Sequence, residues 1–202
     1  MMTGSESVRG STSDPEINER FGPYELVARL YRGTHHGVLW RAGQKIIEVT
    51  ATTNAGAKDL IEKQFYELRL KQAGERDDAT PGEQEFLKAL SYIWPHLNPS
   101  QQRMLTAQYH ASERRLSTLE MAEVAGYKSH HPVNLFYGQA GLMLFSELPR
   151  VLPINKQTGT PIYSFALSTG FQAEVADRSV WIWEMRPEVA KGLELGGLVT
   201  AS

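Results

Sequence analysis

The sequence predicts an α+β protein: a small N-terminal β-β-α domain, then a helical domain that closes with a C-terminal β-hairpin. Three observations predict it. Apolar and polar residues alternate between positions 24 and 53. Apolar residues then fall at helical spacing in capped stretches from 54 to 147. After Pro149 the β-type alternation returns around Gly- and Thr-containing turns. With 202 residues, 41% of them hydrophobic, the chain has material for one domain or two small ones.

Residues 1–20 are polar and rich in Ser and Gly, and a disordered tail is expected there. The tail has no apolar stretch of signal-peptide type. No apolar run approaches the roughly 20 residues that a membrane span needs. A cytoplasmic protein without a membrane partner is therefore expected. The β-β-α domain is placed at 21–72. Its strands are read at 24–32, where Leu26, Ala28 and Leu30 alternate with charged neighbours, at 38–41 and at 45–53. Residues 33–37 (GTHHG) read as a turn. Asn54 is the expected cap of a helix to about Gln72, with Ala57, Leu60, Ile61, Phe65 and Leu68 on its apolar side. A unit of this size is marginal alone, so it should pack on the rest of the chain or on a second copy.

Residues 73–82 (AGERDDATPG in 73–82) read as a linker, and the second domain as 83–202. Pro81 starts a helix whose stripe is Phe86, Leu87, Leu90 and Ile93, ending at Trp94 ahead of Pro95. Asn98 and Pro99 are the N-cap and first residue of a helix over 99–111, with Met104, Leu105, Gln108 and Tyr109 toward the core. Ser117 and Glu120 form a capping box. Ala122 suits a close helix crossing, and Gly126 a turn with positive φ. Ser129 or His131 caps the next helix, 131–147, which Pro149 and Pro153 bound. Strands are expected at 151–155 and 161–168 around KQTGT, and at 180–185. A last helix begins at Pro187 and ends at Gly196 and Gly197.

Helix, Gly-containing turn and helix make a helix-turn-helix, and three helices followed by a hairpin follow the order of a winged helix. In such a winged-helix-like domain the second helix reads DNA. Its edge would present Lys128, Ser129, His130, His131, Asn134 and Gln139. Asn and Gln pair with adenine, and Lys contacts guanine or phosphate. Gly138 and Gly141 share a face with Asn134 and would let a backbone approach closely. Lys156 at the hairpin tip, with Arg103, Arg114 and Arg115 beside the helices, would add phosphate contacts. The competing reading is a buried helix, because Leu135, Leu142, Met143 and Phe145 leave a thin polar face. The formal net charge of −2 argues against grip by bulk electrostatics.

Enzyme chemistry finds little support. There is no Cys, hence no thiol nucleophile, disulfide or thiolate metal site. His35–His36 and His130–His131 are adjacent pairs whose side chains diverge, so no metal or other cofactor is expected. The Glu48 to Lys63 stretch lacks the acidic pattern of a metal-dependent nuclease, and no phosphate loop or nucleophile elbow is present. Trp181, Trp183, Tyr163 and Phe165 read as core in preference to a stacking site for a flipped base.

Three segments, NPSQQRMLTAQYHAS, LSTLEMAEVAGYKS and VNLFYGQAGLML, together with NKQTGTP and WEMRPEVAKGLELGGLV, lie in a region, residues 98–199, that is just over half of the chain. They resemble a region of uncharacterised bacterial and phage proteins, some of which are associated with HNH endonucleases. The resemblance implies a place in restriction, defence or mobile-element biology. This chain lacks an HNH motif and departs from the fused members where their activity lies.

The expectation is thus a non-enzymatic DNA-binding protein whose partner is double-stranded DNA. One alternative is an anti-defence inhibitor, of anti-CRISPR or anti-restriction type, that binds a nuclease or defence complex. Another is a nuclease accessory subunit. A homodimer is plausible, since helix-turn-helix proteins often bind two half-sites.

Overall fold

The computed structural model describes residues 14–74, 81–129, 131–175 and 178–200. The chain begins with a four-stranded antiparallel meander, β1 (Ile17–Phe21), β2 (Tyr24–Tyr31), β3 (Thr34–Arg41) and β4 (Gln44–Ala51), in the order β1-β2-β3-β4. Strand β1 lies partly within the stretch expected to be a tail. Its inward positions are Ile17, Glu19 and Phe21. Glu19 breaks the apolar alternation because it faces Lys58 of the following helix, 2.6 Å away. The turn expected over 33–37 is confined to Arg32 and Gly33, and His35 and His36 lie within β3. Residues 1–13 of the expected tail and 75–80 of the expected linker lie outside the described residues.

Helix α1 (Asn54–Gly74) crosses the inner face of this sheet. Ala57, Ile61 and Phe65 are buried there with Tyr24, Leu26, Leu39 and Val49. Asn54 is not its cap. Thr53 accepts a hydrogen bond from Gly56 N at 2.9 Å, whereas the buried Asn54 donates to the carbonyls of Asp14 and Pro15. The remaining Asn54 oxygen accepts from His35 Nδ1 at 2.8 Å. His35 Nδ1 is thus the donor of this bond.

The second half contains α2 (Glu83–Ile93), α3 (Pro99–His110), β5 (Arg115–Ser117), α4 (Thr118–Ala125), α5 (His131–Glu147), β6 (Ser168–Val175), β7 (Arg178–Met185) and α6 (Pro187–Leu195). The helix ends follow the expected chemistry. Asn98 accepts from Gln101 N at 2.9 Å, and Ser117 from Glu120 N at 3.2 Å, both within capping boxes. Gly126 ends α4 at φ 80°, a conformation that costs a residue with a Cβ about 1–2 kcal/mol. Short 3₁₀ turns occupy Trp94–His96 and Tyr163–Ala166.

The hairpin is not where the sequence placed it. Strands β6 and β7 pair antiparallel, and β5 joins the other edge of β7, giving the order β5-β7-β6. Around KQTGT there is only one bridge, Ile154 to Pro161. Pro153 and Pro161 have no N–H to give a ladder, and residues 163–166 coil instead. Strand β6 escapes a reading by alternation because Gly170 interrupts it.

One hydrophobic core runs through both halves. Phe145 of α5 is fully buried and lies 6.3 Å from the ring of Phe65 and 5.2 Å from that of Tyr66, both on α1. Tyr66 also accepts from Leu152 N at 2.8 Å, and Arg69 donates to Ser146 O. The N-terminal unit thus packs on the rest of the chain, one of the two outcomes expected for it.

Candidate functional site

Helix α5 has two different halves. From Ala140 to Ser146 every side chain or glycine is buried. Toward its start, His131, Asn134 and Leu135 are exposed, and Gly138 and Gln139 are half-buried. Lys128 and Ser129, in the turn after Gly126, are exposed as well. Four of the expected contact residues, Lys128, Ser129, His131 and Asn134, therefore lie close together at one end of the helix pair, with Gln139 further along. His130 lies outside the described residues.

Helix α5 is held from behind. Tyr137 donates to Gln108 Oε1 at 2.6 Å, Gln108 Nε2 donates to Ser168 Oγ at 3.2 Å, and the Ser168 hydroxyl closes the ring on Tyr137 at 2.5 Å. Gln108 also donates to Trp183 O at 3.0 Å. All three side chains are buried, so this ring fixes α3, α5 and the β6–β7 sheet in one geometry. Burial pushes the Tyr137 phenol well above its ordinary pKa of 10.0, against the opposing pull of its two hydrogen bonds, and it stays protonated.

Gly141 does admit a backbone, but it is the chain's own. A Cβ there would stand 2.1 Å from the carbonyl oxygen of Tyr163. The 3₁₀ turn at Tyr163–Ala166 thus crosses α5 in contact with it and covers its C-terminal half. The first two turns of α5 are its more open part.

The basic residues have local partners. Arg103 donates to the carbonyls of Val124 at 3.2 Å and Ala125 at 2.9 Å, closing the C-terminus of α4. Arg114, at φ 57°, lies over the Tyr109 ring. Arg115 pairs with Glu184 at 2.8 Å and with Glu113. Lys156 is exposed on a loop tied by Asn155, which accepts from Gln157 N at 2.9 Å. That loop lies against Lys63 of α1 and is not the connection between the hairpin strands.

Two clefts flank the exposed stripe, and Asn134 lines both. The smaller, about 230 Å³, runs between α5, the 155–164 segment and α1. It contains Glu19, Lys58 and Glu62. Burial pushes the Glu62 carboxyl up to about 7, despite Lys58 3.7 Å away. Lys58 itself is desolvated, but its hydrogen bond and charge pairing with Glu19 outweigh that and raise its pKa. The larger cleft, about 650 Å³, lies between the starts of α4 and α5 and strand β7. Its apolar walls include Leu119, Ile162, Phe165, Trp181 and Trp183, and its polar groups are Thr118, Asn134, Ser164 and Ser179. Trp183 and Tyr163 are core residues, whereas Trp181 is 38% exposed. Leu119 and Ser164 carry no sequence signal for this site, and Trp181 was distinguishable only as one of an aromatic pair.

Among the described residues, no three His, Asp or Glu side chains gather in a way that would hold a metal ion. None of their helices is long and apolar enough to cross a membrane. A scan against protein-family models, a search of curated proteins and a search of solved structures each find no match to this chain.

Proposed function

We propose that this protein is a non-enzymatic DNA-binding protein of winged-helix type, acting in a phage, bacterial-defence or mobile-element setting. The observation that carries the reading is connectivity. Helix α3, strand β5, helix α4, the left-handed Gly126 turn, helix α5 and the β6–β7 hairpin follow one another, with sheet order β5-β7-β6. That is the order of a winged helix, in which the second helix of the pair enters the major groove. The open start of α5 supplies the contacts. The Asn134 amide has no hydrogen bond within the described residues and suits the N6/N7 edge of adenine. Lys128 and Ser129 suit flanking phosphates.

The charge distribution makes the binding modest and weakly dependent on salt. Lys128 is the one lysine of the open turn, and Glu19 and Glu62 lie beside the stripe. With one phosphate neutralised by Lys128, log K should fall with log salt at a slope of roughly −1. Fluorescence anisotropy with random-sequence and base-modified duplexes at low salt checks this. The expected result is saturable binding, weakened at least tenfold by Lys128→Ala with Asn134→Ala. An absence of binding at low salt would sink the reading.

Exposed Leu119 and Leu135, at 54% and 53%, favour a second reading. Here the same face docks on a protein of a nuclease or defence complex and inhibits or assists it. A stoichiometric complex that survives nuclease treatment and is lost in Leu135→Glu distinguishes it from DNA binding.

A further inference from the structure

We propose that the larger cleft, between the start of α5 and strand β7, binds a small, planar, uncharged heteroaromatic molecule. Its volume of about 650 Å³ lies in the range of small-molecule sites. Its chemistry is also that of such a site, with apolar walls and a few polar groups. Trp181 and Trp183 pack edge to face at 5.6 Å, and Phe165 packs the same way on Trp183 at 5.3 Å. Aromatic walls of this kind favour a flat ring system as ligand.

The polar groups select further. The cleft is lined by no charged side chain among the described residues, so nothing offsets the desolvation of a phosphate or carboxylate. An uncharged ligand follows. The Asn134 amide and the Ser164 hydroxyl, both lining the cleft, offer a ligand donors and acceptors. Leu119 and Trp181 leave the mouth open.

Asn134 belongs both to this cleft and to the exposed stripe of α5, so a bound ligand and a duplex compete for its amide. That consequence rests on the DNA-binding reading; the ligand site does not, and it is tested without DNA. The chain has four tryptophans, so the indole N–H signals of the ¹⁵N-labelled protein are few enough to assign by substitution. Indazole, quinazolinone and caffeine are titrated in turn to about 5 mM, where even weak fragments approach saturation. At least one should shift the Trp181 and Trp183 signals saturably and leave those of Trp40 and Trp94 in place. Leu119→Arg, at an exposed position, should weaken that binding at least tenfold with the protein still folded by circular dichroism. Asn134→Ala should weaken it as well and serves as the second variant if Leu119→Arg does not fold. The proposal is overturned if no probe moves the Trp183 indole, or if the folded variants bind as the parent does.

Discussion

Glu62 sits between the two halves of the chain with only 18% of its side chain exposed. Burial raises its pKa from 4.5 to about 7. Below pH 4.5 the folded and unfolded chains both hold this proton, and no penalty exists. Between 4.5 and 7 the unfolded chain releases it while the folded one keeps it, so stability falls as pH rises. Above 7 the penalty is complete, at roughly 3 kcal/mol from about 1.4 kcal/mol per pKa unit. Glu62→Gln mimics the protonated form. Its stability relative to the parent, from urea unfolding at several pH values, should climb from pH 5 to 7 and then level; a difference independent of pH would refute the assignment. At this scale the sequence was readable where partners are near. Asn98 with Gln101 and Ser117 with Glu120 are three residues apart, and their capping chemistry is local. Arg103, whose partners lie 21 and 22 residues away, and Asn54, whose partners lie 39 and 40 away, were not.

Among the elements, α5 carries the most information. Its bounds follow from apolar spacing and flanking prolines, but its partition into an open start and a covered end does not. That partition depends on the segment after Pro149, which turns back over Gly141. Gly141→Ala would drive a methyl group into the Tyr163 carbonyl. Overpacking of this kind costs about 1–3 kcal/mol. Hydrogen–deuterium exchange should then rise over residues 152–167 first, with α3 and α4 unchanged; an unaltered exchange pattern would show that the crossing is not tight. Strand β1 and the true hairpin illustrate the same boundary. Glu19 faces inward only because Lys58 meets it, and β6 reads as a strand only because β7 lies beside it.

The whole molecule is joined through α1 and α5. Phe145 contacts Phe65, Tyr66 and Tyr163 and is fully buried. Its truncation to Ala should cost about 3–5 kcal/mol. Calorimetry of the parent should give a single unfolding peak, because one core serves both halves. Phe145→Ala should lower the peak temperature and resolve the N-terminal sheet with α1 as an earlier transition. Two separate peaks in the parent would contradict a shared core. The sequence by itself determined the α+β class, helices α1 to α6, the caps at Asn98 and Ser117, and the turn at Gly126 between α4 and α5. Periodicity and capping are short-range physics and need no knowledge of the rest of the chain. Only the tertiary structure decided the rest. It set the sheet order β5-β7-β6, gave Arg103 and Arg115 partners distant in sequence, and left a neutral aromatic cleft beside the open end of α5. These features depend on surfaces brought together from distant parts of the chain, and burial and pairing there are properties of both surfaces at once.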